Sequence, residues 1–334
     1  MVDNVAANAL PLTSPLRIAV LKGGVSHERE VSLNSGRMVA AALRSKGHDV
    51  TEYDTADLGF IEALIQSPPD VVFPALHGRL GEDGTVQGLL EVLRLPYVGS
   101  GVLASSMAMA KWQSKRCYEM AAIPTAPYLV FDRARVAGKY GAAASQVLDM
   151  LGERVVVKPA LEGSSLGLTI VREADQLIPA IQLAFEYDRT VLIENFIEGV
   201  EVTVGVVGND APEALPTIEV VAKNDFYDYE SKYAPGGSEH IIPARVGDAV
   251  NETCRRLAEE AHSALGCRGI SRSDFIVDGD GHVWILETNT IPGMTETSLV
   301  PDMARARGVE YPELCEWLVA LALEDAIEDP SEIK

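Results

Sequence analysis

The chain has 334 residues, which on a scale of ~150 residues per domain means about two domains, or three small ones. Its 47% apolar and 23% charged residues exclude a disordered chain or a low-complexity fibre. With 28 Lys+Arg against 49 Asp+Glu the net charge is −21, and a field of that sign repels phosphate backbones and anionic lipid, which argues against nucleic acid and membrane as partners.

Met1 to Asn8 carry neither the basic start nor the apolar run of a signal peptide. No stretch approaches the ~18 uninterrupted apolar residues of a spanning helix, so the expected location is the cytoplasm. Cys117, Cys254, Cys267 and Cys315 lack metal-ligand spacing and are expected to be free thiols.

The first expected strand is Ile18 to Leu21, halted by Gly23-Gly24. A helix from about Ser32 to Lys46 follows, with strands at Val50 to Tyr53 and Val71 to Phe73. Apolar strands alternating with helices predict a parallel α/β sheet covered on both faces, ending near Gly99-Ser100-Gly101. Next come one helix from about Ser105 to Ala121 and strands at Val155 to Val157 and Leu168 to Val171. A helix at Ile181 to Phe185 and a strand at Val191 to Glu194 complete the middle third. The last third opens on a strand from Val202 to Val207, then a polar loop over 223–237, a helix from about Ala249 to Leu265 and two strands around Asp278 to Gly281. The expected domains are 1–100, 101–198 and 199–334.

Four segments carry residues suited to chemistry. With Gly279 and Asp280 as a two-residue tip, Asp274 faces Ile285, and Arg272, Asp274, Glu287 and Asn289 share one face. Three oxygen-bearing side chains beside an arginine suit Mg²⁺; the same face also reads as the exposed polar side of an edge hairpin. A three-residue tip would turn one strand over and undo the grouping. Val155 to Lys158, then Pro159 and Glu162-Gly163-Ser164-Ser165-Leu166-Gly167, reads as a strand leading into a phosphate cradle or as a plain turn. It matches neither GxxxxGK[ST] nor GxGxxG. Glu194 at a strand end, followed by Phe196 and Ile197, offers an acceptor and an apolar wall for an adenine, or a solvated strand end. His77 to Gly88 packs four glycines among His, Arg, Glu and Asp where α/β proteins hold ligands.

Together these pieces resemble the D-alanine–D-alanine ligases, members of the ATP-grasp superfamily, from about Arg17 to Leu323. The matching segments are Gly23-Gly24 with His27 to Ser32, His77 to Gly88, Lys158-Pro159 with Glu162 to Ser165, Phe226 to Tyr233, Gly269 to Asp274, and Glu287 to Thr295. The resemblance implies an α/β (α+β) ATP-grasp fold of three domains: an N-terminal parallel-sheet domain, then two α+β domains that clasp ATP. It implies that Lys111, Lys158 and Lys232 hold phosphates with Ser165 beside them, that Glu194, Phe196, Ile197 and Glu201 hold adenine and ribose, and that Asp274, Glu287 and Asn289 bind two Mg²⁺, with Mn²⁺ able to substitute. Glu28 would take the first D-alanine's ammonium, in a hydrogen-bonded set with Ser164 and Tyr233, and His77 would line that pocket. Arg272 and the Gly293 N–H would stabilise the tetrahedral oxyanion, and Ser298 with the Leu299 backbone would receive the second D-alanine's carboxylate. A homodimer is expected.

The chain departs from the family pattern at Leu80, where glycine is usual, at Ala110, where aspartate is frequent before Lys111, and at Ile291. Two rival functions are a depsipeptide ligase joining D-alanine to D-lactate, against which Tyr233 argues, and a nucleotide-binding regulator without turnover, against which the intact Lys158, Arg272, Asp274, Glu287 and Asn289 argue.

Overall fold

The structure is a computed structural model that describes residues 12, 15–163, 166–222 and 238–328. Ser164, Ser165, Lys232, Tyr233 and the whole of loop 223–237 lie outside the described residues.

The N-terminal sheet is parallel, in the order β2-β1-β3, from β1 (Arg17–Lys22), β2 (Asp49–Asp54) and β3 (Val71–Pro74). Its strands are apolar on both faces because both are covered. Ile18, Val20 and Phe73 pack with α1 (Arg29–Ser45), while Ala19, Leu21 and Val72 pack with α2 (Gly59–Gln66) and α3 (Thr85–Val92). Helix α1 begins three residues before the expected Ser32, directly after Glu28, and Gly47 follows its end with φ +93°.

The expected single helix from Ser105 to Ala121 is two helices, α4 (Val102–Met109) and α5 (Lys111–Met120). Ala110 leaves helical geometry at ψ 83°, and the Lys111 N–H donates to Ala160 O at 3.2 Å rather than continuing the turn. The break aims Lys111 toward the loop after Pro159.

A four-stranded antiparallel sheet follows, ordered β4-β7-β5-β6: β4 (Tyr128–Asp132), β5 (Val155–Pro159), β6 (Thr169–Val171) and β7 (Thr190–Asn195). The period-two alternation sends Val155, Val157, Val171, Val191 and Ile193 into a core with α7 (Tyr140–Leu151) and α8 (Leu177–Tyr187). The short α6 (Arg133–Val136) leads into α7.

The third sheet runs β11-β10-β8-β12-β13, with β9 (Glu213–Ala214) on β8. Its strands are β8 (Gly199–Gly208), β10 (Ile218–Ala222), β11 (Ser238–Ile241), β12 (Gly269–Asp278) and β13 (Val283–Asn289). Val202, Val204, Phe275, Val277 and Ile285 pack with α9 (Asp248–Ala264), and Ala104, Ala108 and Tyr118 of α4 and α5 join that same core. Helices α10 (Leu299–Ala306) and α11 (Tyr311–Glu328) close the other side, where Val300, Met303, Leu314 and Leu318 share a core with Val207, Ile270 and the N-terminal sheet. All four cysteines are free. Among the described residues no helix is long and apolar enough to cross a membrane.

Candidate functional site

A cleft opens between the two antiparallel sheets. The faces that turn away from the helices line it: Val156 and Lys158 of β5, Ile170 of β6 and Glu194 of β7 on one side, Glu201, Asp274, Ile276, Leu286 and Glu287 on the other. The pairing explains the lining, because Val156 is the cross-strand partner of both Ile170 and Glu194, and Glu201 of Ile276. Apolar residues, with Phe196 and Ile197, form one part of the cleft; Lys111, Glu162, Gly163, Asp274 and Glu287 make the rest polar. Arg154 backs the wall, its guanidinium 5.0 Å from the Phe196 ring and its carbonyl accepting from the Phe196 N–H at 3.0 Å.

The hairpin corrects the expected register. Asp278 N–H donates to His282 O at 3.0 Å and Val277 pairs with Val283, so the tip holds three residues, not two. That alone would turn the polar faces apart. The register then shifts between Asp274 and Phe275, leaving Leu286 as an extra residue on β13. Asp274 therefore pairs with Glu287, not Ile285, and Arg272 with Asn289. The two one-residue offsets cancel, and all four polar residues share a face.

Their contacts are close. Arg272 donates to both Asp274 oxygens at 2.8 Å, Thr203 Oγ1 donates to Asp274 Oδ1 at 2.5 Å, and Asn289 Nδ2 lies 3.3 Å from Oδ2. Lys111 Nζ reaches Glu287 Oε2 at 3.2 Å and donates to Glu162 O at 2.9 Å. Burial alone would lower the Lys111 ammonium, but Glu287, Glu82 and Glu194 raise it above the usual lysine value. Hard oxygen donors gathered on one face fit Mg²⁺.

Glu194 is held between two lysines, Lys158 Nζ at 2.5 Å and Lys115 Nζ at 2.8 Å. Burial pushes its carboxyl up, yet the two ammonium groups overcome that and hold it at about 2. Lys115 escaped the sequence reading. The available signal was its i,i+4 spacing from Lys111, which puts both on one helix face. Thr203 and Asp188 were missed as well. Thr203 interrupts a valine strand, which marked it, whereas nothing local marked Asp188. The Asp188 carboxylate accepts from the Ala160 and Leu161 N–H groups at 3.1 and 2.8 Å and so fixes the loop that leads to Gly163.

A second polar centre surrounds Glu28, buried at the start of α1. A Cβ on Gly78 would stand 3.1 Å from Glu28 Oε2 and one on Gly163 3.2 Å, so the loops after β3 and β5 converge on that carboxylate. Ser26 Oγ donates to His77 O at 2.7 Å, and the His77 ring meets Ser35 Oγ at 3.3 Å and the Ile291 backbone. Burial lowers the His77 pKa below its usual value and Arg272 adds to this, while Glu28 opposes it. Glu82 accepts from the Gly78 N–H at 2.7 Å, and burial together with the Glu28 charge pushes its carboxyl up to about 8. Ser298 stands at the N-terminus of α10, its Oγ 2.7 Å from Thr295 Oγ1, and a Cβ on Gly293 would lie 3.1 Å from it. The Leu299 side chain is buried.

Residues 54–100 match the family model described as D-ala D-ala ligase N-terminus, and residues 117–320 match D-ala D-ala ligase C-terminus. A D-alanine–D-alanine ligase of Syntrophobacter fumaroxidans is 49% identical over 94% of this chain and 99% of its own length. One of Pelotomaculum thermopropionicum is 45% identical over 93% and 98%. Among solved structures, the D-alanine–D-alanine ligase of Bacillus anthracis complexed with ATP superposes with a TM-score of 0.81 at 31% identity, covering 94% of this chain and 99% of that one.

Proposed function

The chain belongs to the D-alanine–D-alanine ligase family, and from that premise we propose how its cleft performs the reaction. The protein is an ATP-dependent ligase that joins two D-alanine molecules to D-alanyl-D-alanine, releasing ADP and phosphate, for peptidoglycan synthesis. The observation that carries the reading is the meeting of two centres: a cleft between antiparallel sheets with an apolar part and a lysine-bearing polar part, and the buried Glu28 carboxylate reached by the loop that also forms the cleft wall.

On this reading the apolar part of the cleft takes adenine between Val156, Ile170, Phe196, Ile197 and Ile276, with Glu194 accepting from the base amino group and Glu201 from the ribose. Lys111 and Lys158 face the phosphates, with Ser165 and Lys232 completing the set. Asp274, Glu287 and Asn289 would hold two Mg²⁺ ions, or Mn²⁺, which supply neutralising charge to the phosphoryl group when bound. Glu28 pairs with the ammonium of the first D-alanine, with Ser164 and Tyr233 beside it, and His77, neutral through its burial, packs against that substrate.

A carboxylate oxygen is a poor leaving group, so the first D-alanine's carboxylate attacks the γ-phosphorus and becomes an acyl phosphate while ADP leaves. Catalysis of that step is mainly positioning and charge stabilisation. The amine of the second D-alanine, after losing a proton, attacks the carbonyl carbon, and the oxyanion is held by Arg272 and the Gly293 N–H, each donor worth ~3 kcal/mol on the scale of other oxyanion holes. Phosphate then leaves. Ser298 and the Leu299 N–H, at the N-terminus of α10, receive the second carboxylate, where the helix dipole favours an anion. The enzyme works as a homodimer in the cytoplasm.

The test offers D-alanine and D-lactate as second substrates at neutral pH with ATP and Mg²⁺. Dipeptide formation with D-alanine is expected; a preference for D-lactate makes the chain a depsipeptide ligase, and ATP binding without turnover makes it a regulator.

A further inference from the structure

Lys115 has no part in the steps above, yet it sits directly beneath them. Its side chain is fully enclosed, with Nζ 2.8 Å from Glu194 Oε2, 2.6 Å from Thr125 Oγ1, 3.3 Å from Ala126 O and 5.3 Å from the Tyr128 ring centroid. Helix α5, which carries it, belongs to the core of the large sheet through Tyr118, whose hydroxyl donates to Thr288 Oγ1 at 2.8 Å. Glu194 belongs to the small sheet. Thr125 in turn donates to Ile285 O on β13 at 3.0 Å. Lys115 thus ties one wall of the cleft to the other, at the carboxylate.

A buried ammonium is costly to desolvate, and a well-packed apolar side chain of the same shape is often at least as stable. Stability alone gives no reason for a second lysine on a carboxylate that Lys158 already pairs. The chemistry of the carboxylate does. An ionised carboxylate only accepts hydrogen bonds, whereas a protonated one also donates. A 6-amino purine presents a donor to such a group, and a 6-oxo purine presents an acceptor.

We propose that Lys115 is a positioning residue for the nucleobase: with Lys158 it fixes the Glu194 carboxylate as an obligatory acceptor in the cleft, which selects a 6-amino purine over a 6-oxo purine. This inference rests on the reading of Glu194 as the adenine contact. Lys158 alone is shared between Glu194 and the phosphates. With Lys115 present, Glu194 keeps a dedicated cation when Lys158 engages the nucleotide, and its low pKa keeps it ionised. With Lys115 removed, an enclosed carboxylate loses half of its charge partners, and it shifts position or takes up a proton.

The experiment uses the full-length enzyme and measures kcat and KM with ATP and with inosine triphosphate, the 6-oxo counterpart. Lys115→Met, unbranched, uncharged and one atom shorter, is expected to raise KM for ATP about tenfold and to cut the ATP preference over inosine triphosphate by a similar factor, the scale of one hydrogen bond to a charged group. Its kcat at saturating ATP should stay within about twofold of the parent. Thr125→Val removes one Lys115 partner without touching the charge, and is expected to move the same ratio in the same direction by less. It also serves where Lys115→Met does not fold. An unchanged preference in the folded variants overturns the inference, and so does an equal loss of kcat/KM for both nucleotides. A parent enzyme that uses the two nucleotides equally would instead overturn the reading of Glu194 itself.

Discussion

Asp274 on β12 is the Cα partner of Glu287 on β13, although the turn joining those strands is one residue longer than a two-residue hairpin. The extra residue Leu286 restores the alignment, and it is this second irregularity that gathers the face proposed to bind metal. Bulges that re-aim side chains recur beside active sites. Losing Glu287 should therefore cost more than a partner outside the coordination sphere. Glu287→Ala is expected to lower D-alanine-dependent phosphate release by more than about 100-fold at fixed Mg²⁺. Steady-state rates across a Mg²⁺ titration measure this, and parent-like turnover would refute the metal assignment.

Thr203 orients Asp274 from the neighbouring strand, donating to Oδ1 at 2.5 Å. Thr203→Val keeps the side chain's shape but leaves that oxygen with only the Arg272 Nε donor, at 2.8 Å. The expected outcome is a loss of about 10–100-fold in metal affinity with little change in saturated kcat, read from the Mg²⁺ dependence of the rate.

Glu82 makes stability fall as pH rises. Its carboxyl is raised to about 8 in the fold, so between the ordinary carboxylate value and 8 the folded state holds a proton that the unfolded chain has lost. Its contribution is present below about 4.5 and is lost as pH climbs toward 8. Glu82→Gln keeps an acceptor for the Gly78 N–H and removes the titration. Urea denaturation of the two proteins at several pH values should show a flatter dependence between pH 5 and 8 for the variant, and greater stability than the parent at pH 8.

Leu80, the residue standing where glycine is usual, has φ +69° and an exposed side chain. The left-handed conformation costs a branched residue ~1–2 kcal/mol, while glycine loses ~0.4–1 kcal/mol through the entropy of the unfolded chain. The first exceeds the second, so Leu80→Gly is expected to stabilise the protein by about 0.5–1 kcal/mol in chemical denaturation. Gly84→Ala tests the converse. At φ +91° a Cβ there would lie 2.6 Å from Ser106 Oγ and 2.7 Å from Val102 O, so this change is expected to destabilise.

These residues mark how far the sequence could be read. The alternation of β1 to β3 with helices follows from apolar runs broken by helical segments, whereas the grouping of Arg272, Asp274, Glu287 and Asn289 was reached on a two-residue tip and holds only because the extra Leu286 offsets the longer one. The tip length is not legible, because Asp278-Gly279-Asp280-Gly281 supports either a two- or a three-residue turn, and only cross-strand packing of Phe275 on Ile285 selects one. Ala110 was illegible as a helix break for a similar reason. Alanine favours helix, and what ends α4 is a hydrogen bond from Lys111 to Ala160, in a loop far downstream. Lys111 and Lys115 look alike in sequence, and burial against Thr125 and Glu194, fixed by tertiary contacts, separates their roles.

The most direct measurement follows oxygen from D-alanine. Ligation through an acyl phosphate transfers one carboxylate oxygen of the first substrate to phosphate. With ATP, Mg²⁺ and D-alanine labelled with ¹⁸O in its carboxylate, the released phosphate should carry one ¹⁸O for each dipeptide formed. Unlabelled phosphate, or phosphate released without dipeptide, would contradict the mechanism proposed for Glu28, Arg272 and the Asp274–Glu287–Asn289 face.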